Sequence, residues 1–145
     1  MKVDVPLRVV LVAPPAGVVY GIQRGRGSAY EVDFAQQPTR GDVTFEFAIT
    51  AAEGKDGDPN FLGEYVQGPT GRRFVYVDVG RAARQHDTQW SRRMIVRLDE
   101  VSWPAIHKAT KPGKRLEARI QGTGSDGGPS CATVKPIGGW KVVSG

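Results

Sequence analysis

Apolar and polar residues alternate with a two-residue period along much of this chain, in short segments separated by glycine and proline. Such alternation is typical of β-strands with one buried face. Val43–Thr50 is the clearest example. Phe45, Phe47 and Ile49 are expected to face a core there, while the polar residues between them face outward. Leu116–Gln121 has the same pattern and predicts a second half-buried strand.

The chain carries about eight such segments, with turn signals between them. They are Leu7–Val12, Val18–Gln23, Ser28–Phe34, Val43–Thr50, the two arms of a hairpin between Phe61 and Gly80, Arg93–Leu98, Leu116–Gln121, and Cys131–Lys135 with an apolar tail (WKVV) after it. Helix is scarce. Ser102–Ala109 has a serine suited to the N-cap and Pro104 in its first turn, and Arg81–Gln89 is a second candidate for one helical turn. We therefore expect a mainly β fold: an antiparallel β-sandwich or a partly open barrel of about eight strands with one short helix.

The hairpin between Phe61 and Gly80 holds the most informative pattern. Its second strand alternates strictly, so that one set of side chains faces a core and the other faces away. Val75, Val77 and Val79 form the first set, and Phe74, Tyr76 and Asp78 form the second. Two aromatic rings beside a carboxylate are the best local indication of a binding site. They would also suit the second layer of a sandwich core, and the sequence leaves both interpretations open.

The chain length predicts one domain that spans residues 1–145, because 145 residues are enough to form a single hydrophobic core. Cys131 is the single cysteine, which excludes an intrachain disulfide and a multi-cysteine zinc site. It fits a reducing cytoplasm, and its sequence context is typical of a small buried hydrophobe. No apolar run approaches the ~20 residues of a membrane span, and we read the apolar start as the first strand rather than as a signal peptide.

The net charge is +5, from 20 basic and 15 acidic residues. This balance permits an anionic partner. The basic residues are dispersed rather than clustered, and acidic residues also occupy the strand faces, which argues against a nucleic-acid partner. Among the paired arginines, Arg92 and Arg93 are neighbours on a predicted strand, so only one of the two can point at a given site.

Two glycine-rich segments are candidates for anion contacts. Gly122–Pro129 could gather backbone N–H groups around an anion or could be a wide turn between strands. The turn Gly25–Gly27 contains Arg26 and directly follows Arg24, and these two arginines could reach a phosphate or carboxylate or could simply be solvated. Histidine spacing gives a metal site little support, and we expect no metal and no cofactor.

Several blocks resemble a known family. They are PPAGVVYGIQRGRGSAYE, VTFEFAI, FLGEYVQGPTGRRFVYVDVG, WSRRMIVRL, LEARIQGTGSDGGPSCATVKP and the Gly139-Trp140 pair. These blocks are similar, in order and over most of the chain, to the bacterial domain-of-unknown-function family 5990. The resemblance implies a single-domain intracellular bacterial protein and supplies neither an activity nor catalytic residues.

Three functions remain open at this stage. The first is a non-enzymatic binding module for a small polar or anionic ligand, or for a protein partner. The candidate ligand-binding residues are Gln23, Arg24, Tyr65, Gln67, Tyr76, Asp78, Arg92 and Asp126. The second is a small hydrolase or isomerase with Asp78 or His86 as general base. The third is a structural or interaction protein that forms a homodimer through a sheet edge or an aromatic patch.

Overall fold

The structure is a computed structural model that describes residues 2–23, 32–36, 41–62, 65–67, 74–82, 88–124 and 131–145. In chain order the strands are β1 (Lys2–Val12), β2 (Val18–Gln23), β3 (Val32–Gln36), β4 (Val43–Glu53), β5 (Pro59–Leu62), β6 (Val66–Gln67), β7 (Phe74–Ala82), β8 (Thr88–Arg97), β9 (Lys114–Gln121), β10 (Cys131–Val134) and β11 (Lys141–Ser144). The helix α1 (Trp103–Ala109) lies between β8 and β9, and a single 3-10 turn (Lys55–Gly57) lies between β4 and β5.

These strands form two sheets that share one core. The first sheet has the order β11-β9-β1-β4-β5, and the second has the order β10-β8-β7-β2-β3 with β6 paired to β7. Most neighbouring strands are antiparallel, but β1 pairs with β9 in parallel and β8 pairs with β10 in parallel. The prediction of a mainly β, sandwich-like fold with one short helix is confirmed. The described strands number eleven, and both sheets are mixed rather than purely antiparallel. Two-residue alternation could not predict this, since it shows which face of a strand is buried and not the direction of the neighbouring strand.

The core lies between the two sheets, where the alternating apolar residues meet. Val75, Val77 and Val79 of β7 are fully buried, and so are the inward-facing residues of β1. Phe45 and Ile49 of β4 are each 2% exposed, as their spacing predicts. Complete burial of a valine or leucine side chain is worth about 1.5–3 kcal/mol, so this layer supplies most of the force that holds the sheets together.

The region predicted as one hairpin is divided between the sheets. Phe61 belongs to β5 and pairs with Ala51 in the first sheet. Only β6 and β7 form an antiparallel pair, with Val66 opposite Val75. The chain therefore changes sheets between β5 and β6, and the turn that joins β6 to β7 lies outside the described residues.

The helix begins and ends where the sequence predicts. Ser102 is its N-cap, with Oγ accepting a hydrogen bond from the backbone N–H of Ala105 at 3.3 Å. Ile106 and Ala109 are buried in the core, and the helix packs against β1, β9 and β11 of the first sheet. The second predicted helical turn, Arg81–Gln89, is wrong at both ends because these residues extend β7 and β8, and its middle lies outside the described residues.

Within the described ranges, no helix has both the length and the apolar character needed to cross a lipid bilayer.

Candidate functional site

One surface of the second sheet combines aromatic, basic and acidic side chains. It faces away from the core because the valines between these residues face inward. Register places Asp78 beside Arg93, Tyr76 beside Ile95 and Phe74 beside Arg97. The neighbouring strand β10 adds Cys131 beside Arg93 and Thr133 beside Ile95. We call this surface the outer patch; its members are Phe74, Tyr76, Asp78, Arg93, Ile95, Arg97, Cys131 and Thr133.

Asp78 is the most unusual member of the outer patch. Its side chain is 0% exposed, and Arg93 Nε donates a hydrogen bond to its Oδ1 at 2.8 Å. Its second oxygen, Oδ2, is buried and has no hydrogen-bond partner in the described part of the chain. Register explains part of this, because the neighbour of Asp78 on the opposite strand is Gly21, which has no side chain to offer. A buried carboxyl oxygen without a partner is uncommon in folded proteins and is costly to maintain.

The surroundings of Asp78 make its carboxyl harder to ionise. Burial raises the pKa of Asp78 above its usual value, because a charged carboxylate loses its hydration inside the protein. The hydrogen bond and the positive charge of Arg93 act in the opposite direction, and burial outweighs them. The outer patch therefore holds a carboxyl group that keeps its proton to a higher pH than a solvent-exposed aspartate does.

Two arginines of β8 lie against two aromatic rings of β7. The guanidinium carbon of Arg93 lies 4.7 Å from the ring centroid of Tyr76, and that of Arg97 lies 5.7 Å from the ring centroid of Phe74. Both distances fall within the range of cation–π attraction. Arg97 also forms a bidentate ion pair with Asp99. The outer patch is thus built from repeated arginine–aromatic pairs, and each of its arginines also pairs with a carboxylate.

The outward face of the first sheet is chemically different. Arg8 pairs with Glu46 at 3.2 Å and with Glu117 at 3.1 Å, and Arg115 pairs with Glu46 at 3.0 Å. Arg119 continues this row of ion pairs along β9. The described strands place no aromatic side chain on this face. Among the described residues this face lacks both the aromatic rings and the buried, unpartnered carboxyl oxygen of the outer patch, so it is a weaker candidate for a ligand.

Arg92 lies on the opposite side of the second sheet from Asp78. It pairs in register with the fully buried Val79, so its side chain points toward the first sheet. There its Nη1 donates a hydrogen bond to the carbonyl oxygen of Gly124 at 2.9 Å. The hydroxyl of Tyr20 donates a second bond, to the carbonyl oxygen of Thr123 at 2.7 Å. Burial raises the pKa of the Tyr20 hydroxyl to about 12.

These two bonds hold the start of the glycine-rich segment Gly122–Pro129. They come from β2 and β8 in the second sheet, whereas the segment follows β9 in the first. Gly122 also donates a backbone hydrogen bond to Val12 at 2.8 Å. The described start of the segment is therefore a brace between the sheets, and its residues from 125 to 129 lie outside the described part.

The other predicted ligand-binding residues fall into two groups. Tyr65 packs on Phe47 at the margin of the core, with ring centroids 5.1 Å apart and tilted by 54°. For Gln23 and Gln67 the structure describes the backbone, in β2 and β6, and not the side chains. Arg24 and Asp126 lie outside the described residues. The structure brings Tyr76 and Asp78 together, places Arg92 on the inner face, and places Tyr65 in the core margin.

Arg93 is the residue of this site that the sequence did not single out. The alternation rule shows that only one of Arg92 and Arg93 can face Asp78, but the choice depends on the pairing register between β7 and β8. That register includes an irregularity between Val79 and Gly80, which the amino-acid pattern does not reveal. Cys131 is exposed, so the expectation that it is a buried hydrophobe is wrong.

Residues 5–143 match the model of a family of unknown function, DUF5990. The chain belongs to this family. The resemblance seen in the sequence is therefore confirmed. Comparison with curated proteins finds no match, and comparison with solved structures finds none either. No activity comes to this DUF5990 protein from a relative, and its function has to be argued from its own geometry.

Two polar cavities in the described part of the DUF5990 protein lie near the turn between β4 and β5 rather than at Asp78. One, of about 140 Å³, is lined by Asp58, Pro59, Phe61, Asp99 and Val101. The other, of about 250 Å³, shares Asp58 and Pro59 with it and extends along the turn between β4 and β5. No cluster of three or more His, Cys, Asp or Glu side chains suited to a metal ion occurs among the described residues.

Proposed function

We propose that this DUF5990 protein is a non-enzymatic binding module for a small polar ligand, and that the ligand binds at the outer patch. The observation that carries the proposal is the unpartnered Oδ2 of the fully buried Asp78. Proteins rarely leave such an atom without a hydrogen bond, and a bound ligand would provide one. Partly exposed Tyr76 and Arg93 lie beside Asp78 and would contact the same ligand.

The single cysteine provides a direct test, because Cys131 is exposed and lies beside Arg93 on the adjacent strand. Adjacent strands are about 4.8 Å apart, so a ligand at Asp78 and Arg93 should shield the thiol. A library of small metabolites would first be screened for ligands that raise the melting temperature. Each ligand found would then be tested for slower reaction of Cys131 with a chromogenic disulfide reagent.

The variant Asp78→Asn identifies the site, and Glu117→Gln is its matched control. Glu117 is also a carboxylate paired with an arginine, but it lies on the outward face of the first sheet. We expect Asp78→Asn to abolish both the thermal shift and the shielding of Cys131, and Glu117→Gln to preserve both. A library without any stabilising compound, or ligands that shield Cys131 equally in both variants, would refute the proposal.

The raised pKa of Asp78 favours a second candidate, an enzyme with this carboxyl as general acid or base. His86, the alternative base, lies outside the described residues. His107 is exposed on α1. The two candidates differ in the fate of the ligand: a binding module returns it unchanged, whereas an enzyme converts it. Mass spectrometry of each stabilising compound after prolonged incubation with the protein separates them.

The proposal extends to the setting in which the protein works. A bacterial cytoplasm is supported by the family resemblance and by an exposed, unpaired thiol, which a reducing compartment preserves. A homodimer through the outer patch is the remaining alternative. Light scattering with and without a stabilising ligand tests it, because a ligand that occupied the dimer contact would shift the protein toward the monomer.

A further inference from the structure

The charges of the outer patch are already paired. Arg93 bonds to Asp78 at 2.8 Å, and Arg97 forms its bidentate pair with Asp99. Each pair joins one positive and one negative charge, so the four groups together present no net positive charge. An incoming anion would gain little attraction here. It would also approach the unpartnered carboxyl oxygen of Asp78, and two acceptor groups of like charge repel each other.

The unpartnered atom sets the complementary chemistry. A carboxylate oxygen accepts hydrogen bonds, and the described residues supply no donor to Oδ2 of Asp78. Asp78 is fully buried, whereas Arg93 is 18% exposed and Tyr76 is also partly exposed. We therefore place the approach to Oδ2 beside these two side chains. A small group can enter there, and a fully hydrated ion would lose its hydration in the attempt.

Resting on the proposed function, we infer that the outer patch takes a ligand that presents an uncharged O–H or N–H donor to Asp78, such as an alcohol hydroxyl or an amide. Of the polar and anionic ligands that the sequence left open, this inference selects a neutral polar one. The donor completes the hydrogen bonding of Asp78, and the rest of the ligand lies over the arginine–aromatic pairs. Specificity follows, because a site built to accept a donor discriminates strongly against an analogue that lacks one.

Three molecules of nearly the same shape test this inference on the full chain. Acetamide carries an N–H donor and no charge, acetate carries a negative charge and no donor, and dimethylacetamide carries neither. Each would be titrated into isotope-labelled protein, with the side-chain carboxyl carbon of Asp78 and the backbone amides of β7 and β8 followed by NMR. We expect acetamide to shift these signals in a saturable way, and acetate and dimethylacetamide to leave them in place.

The variant Asp78→Asn should weaken the acetamide response about tenfold or more, because the charged acceptor is replaced by a neutral amide. Glu117→Gln should leave it unchanged. An equal response to acetate, or an acetamide response that persists in Asp78→Asn, would overturn the inference. The comparison of acetamide with acetate needs no variant, so it decides the question even if Asp78→Asn does not fold.

Failure of this inference and failure of the proposed function have different signatures. Acetate that binds at the outer patch and shields Cys131 would contradict the neutral donor and leave the binding module standing. If none of the three molecules shifted the NMR signals, the donor inference would also be overturned. The metabolite screen with Cys131 shielding would then judge the proposed function on its own.

Discussion

Asp78 has one oxygen bonded to Arg93 and one that has no partner among the residues the structure describes, and both lie out of contact with water. Its strand neighbours explain this arrangement. Gly21 on one side offers no side chain, and Arg93 on the other side reaches a single oxygen. Because burial outweighs the effect of Arg93, the folded protein binds a proton at Asp78 more tightly than the unfolded chain does.

The pH dependence of stability follows from this difference. The stability that protonated Asp78 contributes is fully present below its ordinary pKa of 3.8 and is lost as the pH rises through the raised value. Asparagine does not titrate, so the free energy of unfolding of the wild-type protein should fall relative to that of Asp78→Asn over this range. Urea unfolding at a series of pH values from acidic to neutral measures the difference. A difference that stays constant, or that grows with pH, would contradict the expectation.

Gly122 is a second residue whose identity has a local cause. A Cβ atom at this position would lie 2.6 Å from Cα of Pro14 and 3.0 Å from the carbonyl oxygen of Val12, and neither backbone atom can move easily. We expect Gly122→Ala to lower the free energy of unfolding by about 1–3 kcal/mol. Gly124→Ala is the control, because a Cβ there would meet nothing within 4 Å. Denaturant unfolding of both variants checks this, and equal losses would refute the steric explanation.

At the residue scale, the sequence predicted well which face of its strand each side chain occupies, and it predicted poorly which residues that side chain contacts. Alternation placed Tyr76 and Asp78 together and the intervening valines in the core, because side chains of a strand alternate whatever its neighbours are. It could not choose Arg93 over Arg92, since that choice depends on register with another strand. It also could not show that Oδ2 of Asp78 lacks a donor, which depends on every element around it.

At the scale of elements, the loop that follows β9 is attached to the opposite sheet by two side chains. Tyr20 of β2 and Arg92 of β8 each donate a hydrogen bond to a carbonyl of this loop. The loop therefore connects the two layers by polar contacts as well as by the apolar core. This brace explains why Arg92, an arginine on an inward-facing position, is tolerated.

Removal of one bond of the brace should lower stability without a change of shape. We expect Tyr20→Phe to cost about 1–3 kcal/mol, because the ring still fills its place while the carbonyl of Thr123 loses its donor. Tyr76→Phe serves as the control, since the described part of the chain shows no hydrogen bond for its hydroxyl. Its cost should stay within about 0.5 kcal/mol. Thermal and denaturant unfolding measure both, and a loss of similar size in Tyr76→Phe would argue against a specific role for the bond.

The elements themselves were largely predictable where local signals act. The helix start was visible in Ser102 and Pro104, whose capping and backbone geometry work without long-range contacts. Strand cores were found, and their ends extended further than alternation showed. The 61–80 hairpin was misread in part, because Phe61 and Val66 pair with different sheets and nothing in a short apolar segment specifies its partner.

At the scale of the whole molecule, the two sheets share one core and should unfold together. Trp90 reports on the second sheet, and Trp103 reports on the helix that packs against the first sheet. The prediction of a single domain over residues 1–145 therefore implies one cooperative transition. Tryptophan fluorescence and far-ultraviolet circular dichroism should give the same midpoint in urea. Two separate transitions would show that the sheets are independent units.

The order of strands within the sheets was beyond the reach of the sequence pattern. Pairing of β1 with β9, and of β8 with β10, is parallel and joins segments far apart along the chain. Two-residue periodicity carries no information about such partners, since it is the same for a strand in either direction. The layered architecture followed from the pattern, whereas the order of strands within each layer is visible only in the three-dimensional structure.

The central position of β1 bears on how the chain is made. On one side Leu7 pairs with Phe47, which is synthesised soon afterwards, and on the other it pairs with Leu116, which comes 109 residues later. The edge of β1 that pairs with β9 therefore has no partner strand until β9 has been synthesised. A nascent chain that stalls before β9 emerges would expose a long apolar edge of the kind that pairs with other chains. The closing of this edge by β9 marks the point at which the growing polypeptide is protected from aggregation.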